Sequence, residues 1–271
     1  FSKNAEEVFR FWNKEELLAD AVYLIRSLHP DIIICRFPAD ARAGHGQHIA
    51  SAIIAREAFT AAADPARFPD QVAKLGTWKA KRLLWNTFSF GGTNTQREDQ
   101  FKLECGNYNP ILGKSYGEIA AASRSQHKSQ GFGVPAQRGS VIEYFKTIRG
   151  TAPAASLMDD VETGWRKAVD KEQAAANTTA VEELMRSFNV EHPETILKGL
   201  VTFYTRVEQV QDVYWREQKK AEIEKILENC SGLFMDATTG TQYAVAGDSL
   251  KISLVVNNRS GANILSADAF I

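Results

Sequence analysis

The 271 residues are 44% hydrophobic, 10% aromatic and 24% charged, ordinary values for a globular protein of one large domain or two modest ones. With 32 basic against 33 acidic residues the net charge is −1, which excludes the electrostatic footprint of a nucleic-acid or anionic-membrane binder. No apolar run approaches the ~18 residues that span a bilayer, and no secretory leader is expected. Cys35, Cys105 and Cys230 are odd in number and far apart, so neither a disulfide framework nor a thiolate metal site is indicated.

In chain order, residues 4–28 carry Val8, Phe9, Leu17, Leu18, Leu24 and Ile25 at helical spacing, which predicts one amphipathic helix ended by Pro30. Phe1 opens directly into that pattern. Asp31–Phe37 is short, β-branched and nearly all apolar, the pattern of a strand buried on both faces in a parallel sheet covered by helices. A loop with Pro38, Asp40, Gly44 and Gly46 follows, and then an Ala-rich helix from Gln47 to Ala63. Leu83–Phe88, Phe101–Cys105 and Ile142–Ile148 are further strand candidates, the first ended by Gly91-Gly92. A helix is expected from about Ser115 to Gln130, ended by Gly131.

Past Met158 the texture becomes helical and highly charged to about residue 229. After Gly232 it changes again. Gln242–Val245 and the alternating Leu250–Asn257 predict the opening hairpin of an antiparallel sandwich, truncated after a couple of strands. The expected organisation is an α/β, Rossmann-like domain over 1–165 with a partial parallel sheet and flanking helices, a helical region over 166–231, and the start of a β-sandwich over 232–271. Both termini look cut, and the chain is expected to be an internal piece of a longer protein.

Of the histidines, His45 and His48 alone stand close together, in Arg42-Ala43-Gly44-His45-Gly46-Gln47-His48. They lie where a strand hands over to a helix, the place where open α/β sheets bind ligands. Spacing of three on a first helical turn turns both imidazoles to one side, and the glycines flanking His45 allow close approach of backbone to ligand. A metal ligand beside a polarising histidine is one reading of the pair; capping and surface histidines on an ordinary loop is the other.

Asp40-Ala41-Arg42-Ala43-Gly44-His45-Gly46-Gln47-His48 resembles the DSRAGHGxH-like loop of the larger zinc-dependent N-deacetylases of the PIG-L/LmbE type. The resemblance continues through Ala63–Pro69, Lys81–Phe88, Leu112–Ala120 and Ser123–Gly131, and covers about residues 5 to 165. It implies a zinc-dependent hydrolase that removes the acetyl group from an N-acetylglucosamine-type glycoconjugate. His48 would be a zinc ligand. His45 would steady the developing oxyanion or deliver a proton to the leaving amine. Arg42, Asp40, His127 and Gln130 would line the substrate cleft. Relatives with an appended sandwich imply export, to the periplasm or beyond the cell.

Two departures matter. Gln47 stands where such loops often carry an Asp that can orient an imidazole. The family's AHPDDE motif, which supplies a His and an Asp to the zinc, is absent, since His29-Pro30-Asp31 precedes its strand instead of following one. His48 would then be the one family zinc ligand in this chain, and the rest would come from a segment upstream of Phe1. A non-catalytic carbohydrate- or protein-binding module derived from the same fold is the alternative. A nucleotide-binding reading lacks the strand–GxGxxG–helix context that it needs.

Overall fold

The structure, a computed structural model, describes residues 2–130 and 133–263. The chain is mixed α/β and divides into two compact units, Phe1–Val161 and Glu162–Ile271. Among the described residues no helix is long and apolar enough to cross a membrane.

The first unit opens with two helices where the periodicity predicts one: α1 (Ala5–Phe11) and α2 (Lys14–Leu28). The break falls at Asn13, whose extended backbone and side-chain oxygen cap the second helix by accepting from the Glu15 and Glu16 N–H groups. An Asn that caps a new helix outcompetes continuation of the old one. His29 ends α2 in the left-handed region at φ 48°, and its ring stacks on Trp78 at 4.2 Å between centroids. The structure thus gives His29 a place in packing at the helix end.

Strand β1 (Ile32–Cys35) is followed by α3 (Gly46–Ala61), α4 (Pro69–Leu75) and β2 (Arg82–Thr87). β1 and β2 run parallel, with Ile32 opposite Arg82 and Cys35 opposite Trp85. Three short pieces follow β2: β3 (Ser89–Phe90) and β4 (Thr93–Asn94), which form a hairpin around Gly91-Gly92, and then β5 (Phe101–Glu104). A second small hairpin, β6 (Tyr108–Asn109) with β7 (Lys114–Ser115), leads into α5 (Tyr116–Arg124), and β8 (Ile142–Gly150) completes the sheet. The strand order is β1-β2-β8-β5. β8 runs antiparallel to both its neighbours, so the sheet is mixed where the sequence predicts a parallel one.

Burial follows from this order. β2 is flanked on both edges, and its Leu83, Leu84 and Trp85 are buried. β1 is an outer strand, so the expectation of burial on both faces fails there. Ile33 packs into the core of α2 and α3, but Ile34, on the opposite face, is 50% exposed.

That core joins Leu18, Val22 and Ile25 of α2 to Ile54, Ala58 and Ala61 of α3, the small alanines letting the helices approach closely. Arg26 sits within it at 0% exposure. Its Nε donates to the Ala62 carbonyl at 3.2 Å, and its Nη1 to Phe68 at 3.2 Å. Its Nη2 donates to Ala61, Asp64 and Arg67 at 3.1, 2.9 and 2.9 Å. One guanidinium therefore satisfies carbonyls at the end of α3, which have no intrahelical donor, and ties down the turn after it.

The sequence predicts a helix from Ser115 to Gln130, whereas α5 stops at Arg124. Ser115 and Glu118 form its capping box, each side chain accepting from the other's backbone N–H. Ser125 ends the helix by donating to the Ala121 carbonyl at 2.7 Å and accepting from Val134 N–H at 3.0 Å. The expected stop at Gly131 lies outside the described residues.

The second unit holds α6 (Lys171–Ser187), α7 (Leu197–Val207) and α8 (Val213–Ser231). Phe203, Val207 and Ile223 form part of its core, with Trp165 edge-on to Phe203 at 5.6 Å. An antiparallel hairpin follows, β9 (Leu233–Thr239) paired with β10 (Ile252–Asn258). The sequence places the first strand of this hairpin at Gln242–Val245; the structure puts that segment in the connecting loop.

Candidate functional site

β1 delivers the chain to the sheet's edge at Arg36 and Phe37. Asp40 then accepts from the Arg42 backbone N–H at 3.1 Å and caps a single 3-10 turn, Ala41–Ala43. Gly44 follows at φ 84°, a conformation that glycine adopts without Cβ strain. His45 is the N-cap of α3, its backbone extended at φ −109° and ψ 150°. Gly46 opens the helix, and a Cβ there would come 2.3 Å from the Asn4 carbonyl oxygen. Its N–H donates to the Ser2 carbonyl at 2.8 Å. The segment Ser2–Asn4 therefore lies directly against the start of α3, and a residue without a side chain is what fits at position 46.

His48 lies half-buried in the first turn of α3. Its ring stacks on Phe37 at 3.7 Å between centroids and 3° between planes. Its Nδ1 is 3.0 Å from the Ala43 carbonyl oxygen. A carbonyl can only accept, so Nδ1 carries the hydrogen, and in the neutral ring the Nε2 lone pair is left available. The His45 ring is 5.2 Å away at 65°. The two imidazoles that the sequence pairs by spacing are thus neighbours in space.

Aromatic contacts extend from this pair along the ends of the strands. Phe37 meets Phe88 edge-on at 6.3 Å, and Phe88 meets Trp85 at 6.4 Å. The Arg42 guanidinium lies 5.2 Å over Trp85 and grips Asp40 through Nε and Nη2 at 2.8 and 2.7 Å. That double hydrogen bond holds the Asp40 carboxyl below the usual carboxylate range and raises Arg42. Arg36 lies 5.9 Å over Phe88, hydrogen-bonds Asn86 and stands 3.8 Å from Glu143. Asn86 in turn donates to Glu143 at 2.7 Å. Both arginines are therefore matched by carboxylates.

The remaining candidates are more distant in their contacts. Gln47 donates to Ser2 Oγ at 3.4 Å, and its buried Oε1 has no partner among the described residues, so neither end of the amide orients an imidazole. His127 is exposed beyond α5, its backbone N–H donating to the Arg124 carbonyl at 3.1 Å. No hydrogen bond or ring contact among the described residues joins its side chain to His48. Gln130 closes a short 3-10 turn, Lys128–Gln130, and its side chain lies outside the described residues. Cys35 is half-buried, and burial pushes its thiol up, against the pull of Arg56, away from the thiolate that reactive cysteines need.

Phe37, Phe88 and Arg36 are site residues that the sequence does not single out as functional. Their signal was positional: they follow the carboxyl ends of two adjacent parallel strands, β1 and β2.

Among the described residues no group of three or more His, Cys, Asp or Glu side chains converges as a metal site. Zinc takes three or four protein ligands, so the pair His45 and His48 does not hold it unaided. What the pair presents is one imidazole in a ligating tautomer with a second beside it. No protein-family model matches this chain, and no curated protein or solved structure matches it either.

Proposed function

We propose that this chain carries the imidazole side of a zinc-dependent N-deacetylase site of the PIG-L/LmbE type, set on a Rossmann-like sheet and acting on the N-acetyl group of an N-acetylglucosamine-type glycoconjugate. One observation carries the reading: His48 is fixed by the Ala43 carbonyl and the Phe37 ring with its Nε2 lone pair available, and His45 stands 5.2 Å away. A surface histidine on an ordinary loop has no need of that double restraint on ring plane and tautomer. It is the orientation that a metal-binding imidazole needs.

In this reading His48 contributes one ligand, and the others come from residues outside this chain. β1 offers a route for them. It is one of the two outer strands of the described sheet, and a further strand pairing along it would end beside the His48 loop. Zinc, when bound, supplies an acidified water and polarises the acetamide carbonyl. His45, exposed at the helix start, offsets charge on the acetamide oxygen or passes a proton to the leaving amine, a contribution worth roughly 3–4 kcal/mol for a single well-placed donor. Arg42 and Asp40, already matched to each other, offer hydrogen bonds to a neutral polar substrate without a net charge. His127 and Gln130 belong to the same cleft in this proposal.

The test is acetate release from N-acetylglucosamine derivatives by the zinc-loaded protein carrying its native upstream residues. His48→Ala should abolish both zinc retention and acetate release. Unchanged zinc content and turnover in that variant would overturn the reading. Saccharide binding without any acetate release would favour the alternative, a non-catalytic carbohydrate- or protein-binding module.

A further inference from the structure

A slot of about 330 Å³ opens in the second unit, where α6 and α8 each pack on α7 and leave a gap between them. Ile196, Leu200, Phe203, Ile223 and Cys230 form its floor, and each of them is 7% exposed or less. The rim is Met185 and Phe188 on one side and Ile226 on the other, exposed at 73%, 47% and 43%. Every side chain that lines the slot is apolar, counting the Cys230 thiol as the small hydrophobe that a buried cysteine is. Ile223 lies at the Phe203 end and Cys230 at the Ile196 end. From one end to the other the slot runs roughly 10 Å at the helical rise.

Lining and shape together select the occupant. A polar group entering the slot would give up its water and find no hydrogen-bond partner among these side chains, whereas apolar hollows take apolar guests. A helix is about 10–12 Å across with its side chains, too wide to enter. A helix docked over the gap would rest on α7, whose contact residues would stand open without it. Leu200 and Phe203 are instead closed at 4% and 6% exposure, and the exposure is concentrated in the rim. That section, narrow and deep, fits a single file of methylenes. The volume lies at the low end of the range typical of ligand sites, and the length takes a chain of about eight carbons at the helical rise that measures it. We propose that the slot between α6 and α8 binds one unbranched alkyl chain, the tail of a fatty acid or other single-chain amphiphile, with the head group left in solvent beyond the rim.

The slot lies in the unit that does not hold the histidines, so the proposal stands apart from the deacetylase reading and binding should be unchanged in His48→Ala. Backbone amide resonances of the full chain are followed while straight-chain primary alcohols of four to twelve carbons are added. The expected result is saturable shifts at Leu184, Leu200, Ile223 and Cys230. Kd should tighten about fourfold with each added methylene, the effect of burying one CH₂, and level off past about eight carbons. Cyclooctanol, equal in carbon count but too broad, should bind at least tenfold more weakly than octanol. Ile226→Trp, chosen to lay an indole across the rim, should weaken octanol at least tenfold. Ile226 is exposed, so the fold should survive, as an unchanged amide spectrum elsewhere would verify. Shifts of the same amides on concentrating the protein alone would mark a second copy as the occupant and overturn the proposal. A Kd indifferent to chain length, octanol binding unaltered in Ile226→Trp, or no shift at these residues would each do the same.

Discussion

Replacing Arg26 with methionine should destabilise the first unit far more than any surface change, because the guanidinium is wholly buried and bonds five backbone carbonyls. A hydrogen bond to a charged donor contributes about 1.5–3 kcal/mol. The five share three nitrogens, however, and the buried charge itself carries a desolvation cost, so they do not add. Counted as about two such bonds, the loss is about 3–5 kcal/mol; methionine keeps the aliphatic packing, and while the carbonyls of Ala61, Ala62, Asp64 and Phe68 keep the N–H partners of Asp64, Trp78, Arg67 and Gln71, that of Arg67 is left to find water. With a urea dependence of roughly 2 kcal/mol per molar, the unfolding midpoint should fall by about 1.5–2.5 M. Trp78, stacked on His29 beside this core, reports the transition by fluorescence. Arg26→Lys should be intermediate, since an ammonium has three donors and no planar fork. A loss below about 1 kcal/mol for methionine, within the range of an exposed ion pair, would refute the view that Arg26 organises the turn after α3.

Gly46→Ala should lower the melting temperature despite alanine's better helix propensity, because the new Cβ meets the Asn4 carbonyl at 2.3 Å. Overpacking of this kind costs about 1–3 kcal/mol, and a thermal melt equal to or above that of the parent would contradict it. His48 should hold its proton on Nδ1 at neutral pH, read from imidazole nitrogen shifts, and Phe37→Ala should loosen that preference; a ring protonated at Nε2 alone would show that the Ala43 contact is wrong. The Asp159 carboxyl accepts from Ala154, Ala155 and Ser156 N–H, and with Ala155 the largest influence its pKa is held below its ordinary 3.8. A depressed carboxylate contributes stability that is complete above the unfolded pKa and lost as pH falls through the folded one. Protection of those three amides against hydrogen exchange should therefore persist at pH 5 and collapse only below about pH 4; collapse already at pH 5 would contradict it.

The elements legible in the sequence are those whose partners are local or whose pattern is unbroken. The helix expected from Gln47 to Ala63 is α3 to within two residues at its C-terminus, and Leu83–Phe88 is β2 shifted by one. Long-range effects decide the rest. Nothing near Arg26 in the sequence announces its role, because its partners lie 35 to 42 residues downstream. β8 was visible as a strand, but its antiparallel entry between β2 and β5 depends on the whole path from Thr87 to Ile142. β9 was missed because Asp236, Thr238 and Thr239 break its apolar run, and its start is set by Gly232 at φ 61°. At the site the spacing of His45 and His48 was readable. The restraint on His48 was not, since it depends on a 3-10 turn and on Gly44 bringing the Ala43 carbonyl back to the ring.

The exposed side of β1 connects fold and function. A strand at a sheet's edge presents unpaired backbone N–H and C=O groups, and proteins usually blunt such edges with lysine, proline, a bulge or inward charge. Ile32-Ile33-Ile34-Cys35 has none of these within it; its charges, Asp31 and Arg36, stand only at the ends. Arg36 is moreover engaged by Asn86 and Glu143, which draws it toward β2 and away from the open edge. A stretch this apolar and this unguarded is suited to accept another strand in parallel, and a parallel strand laid there would finish on the same side of the sheet as Phe37 and the His48 loop. The proposed metal site needs donors that these residues lack, and the edge of β1 is where they can be brought within reach of the Nε2 lone pair without disturbing the contacts that hold it.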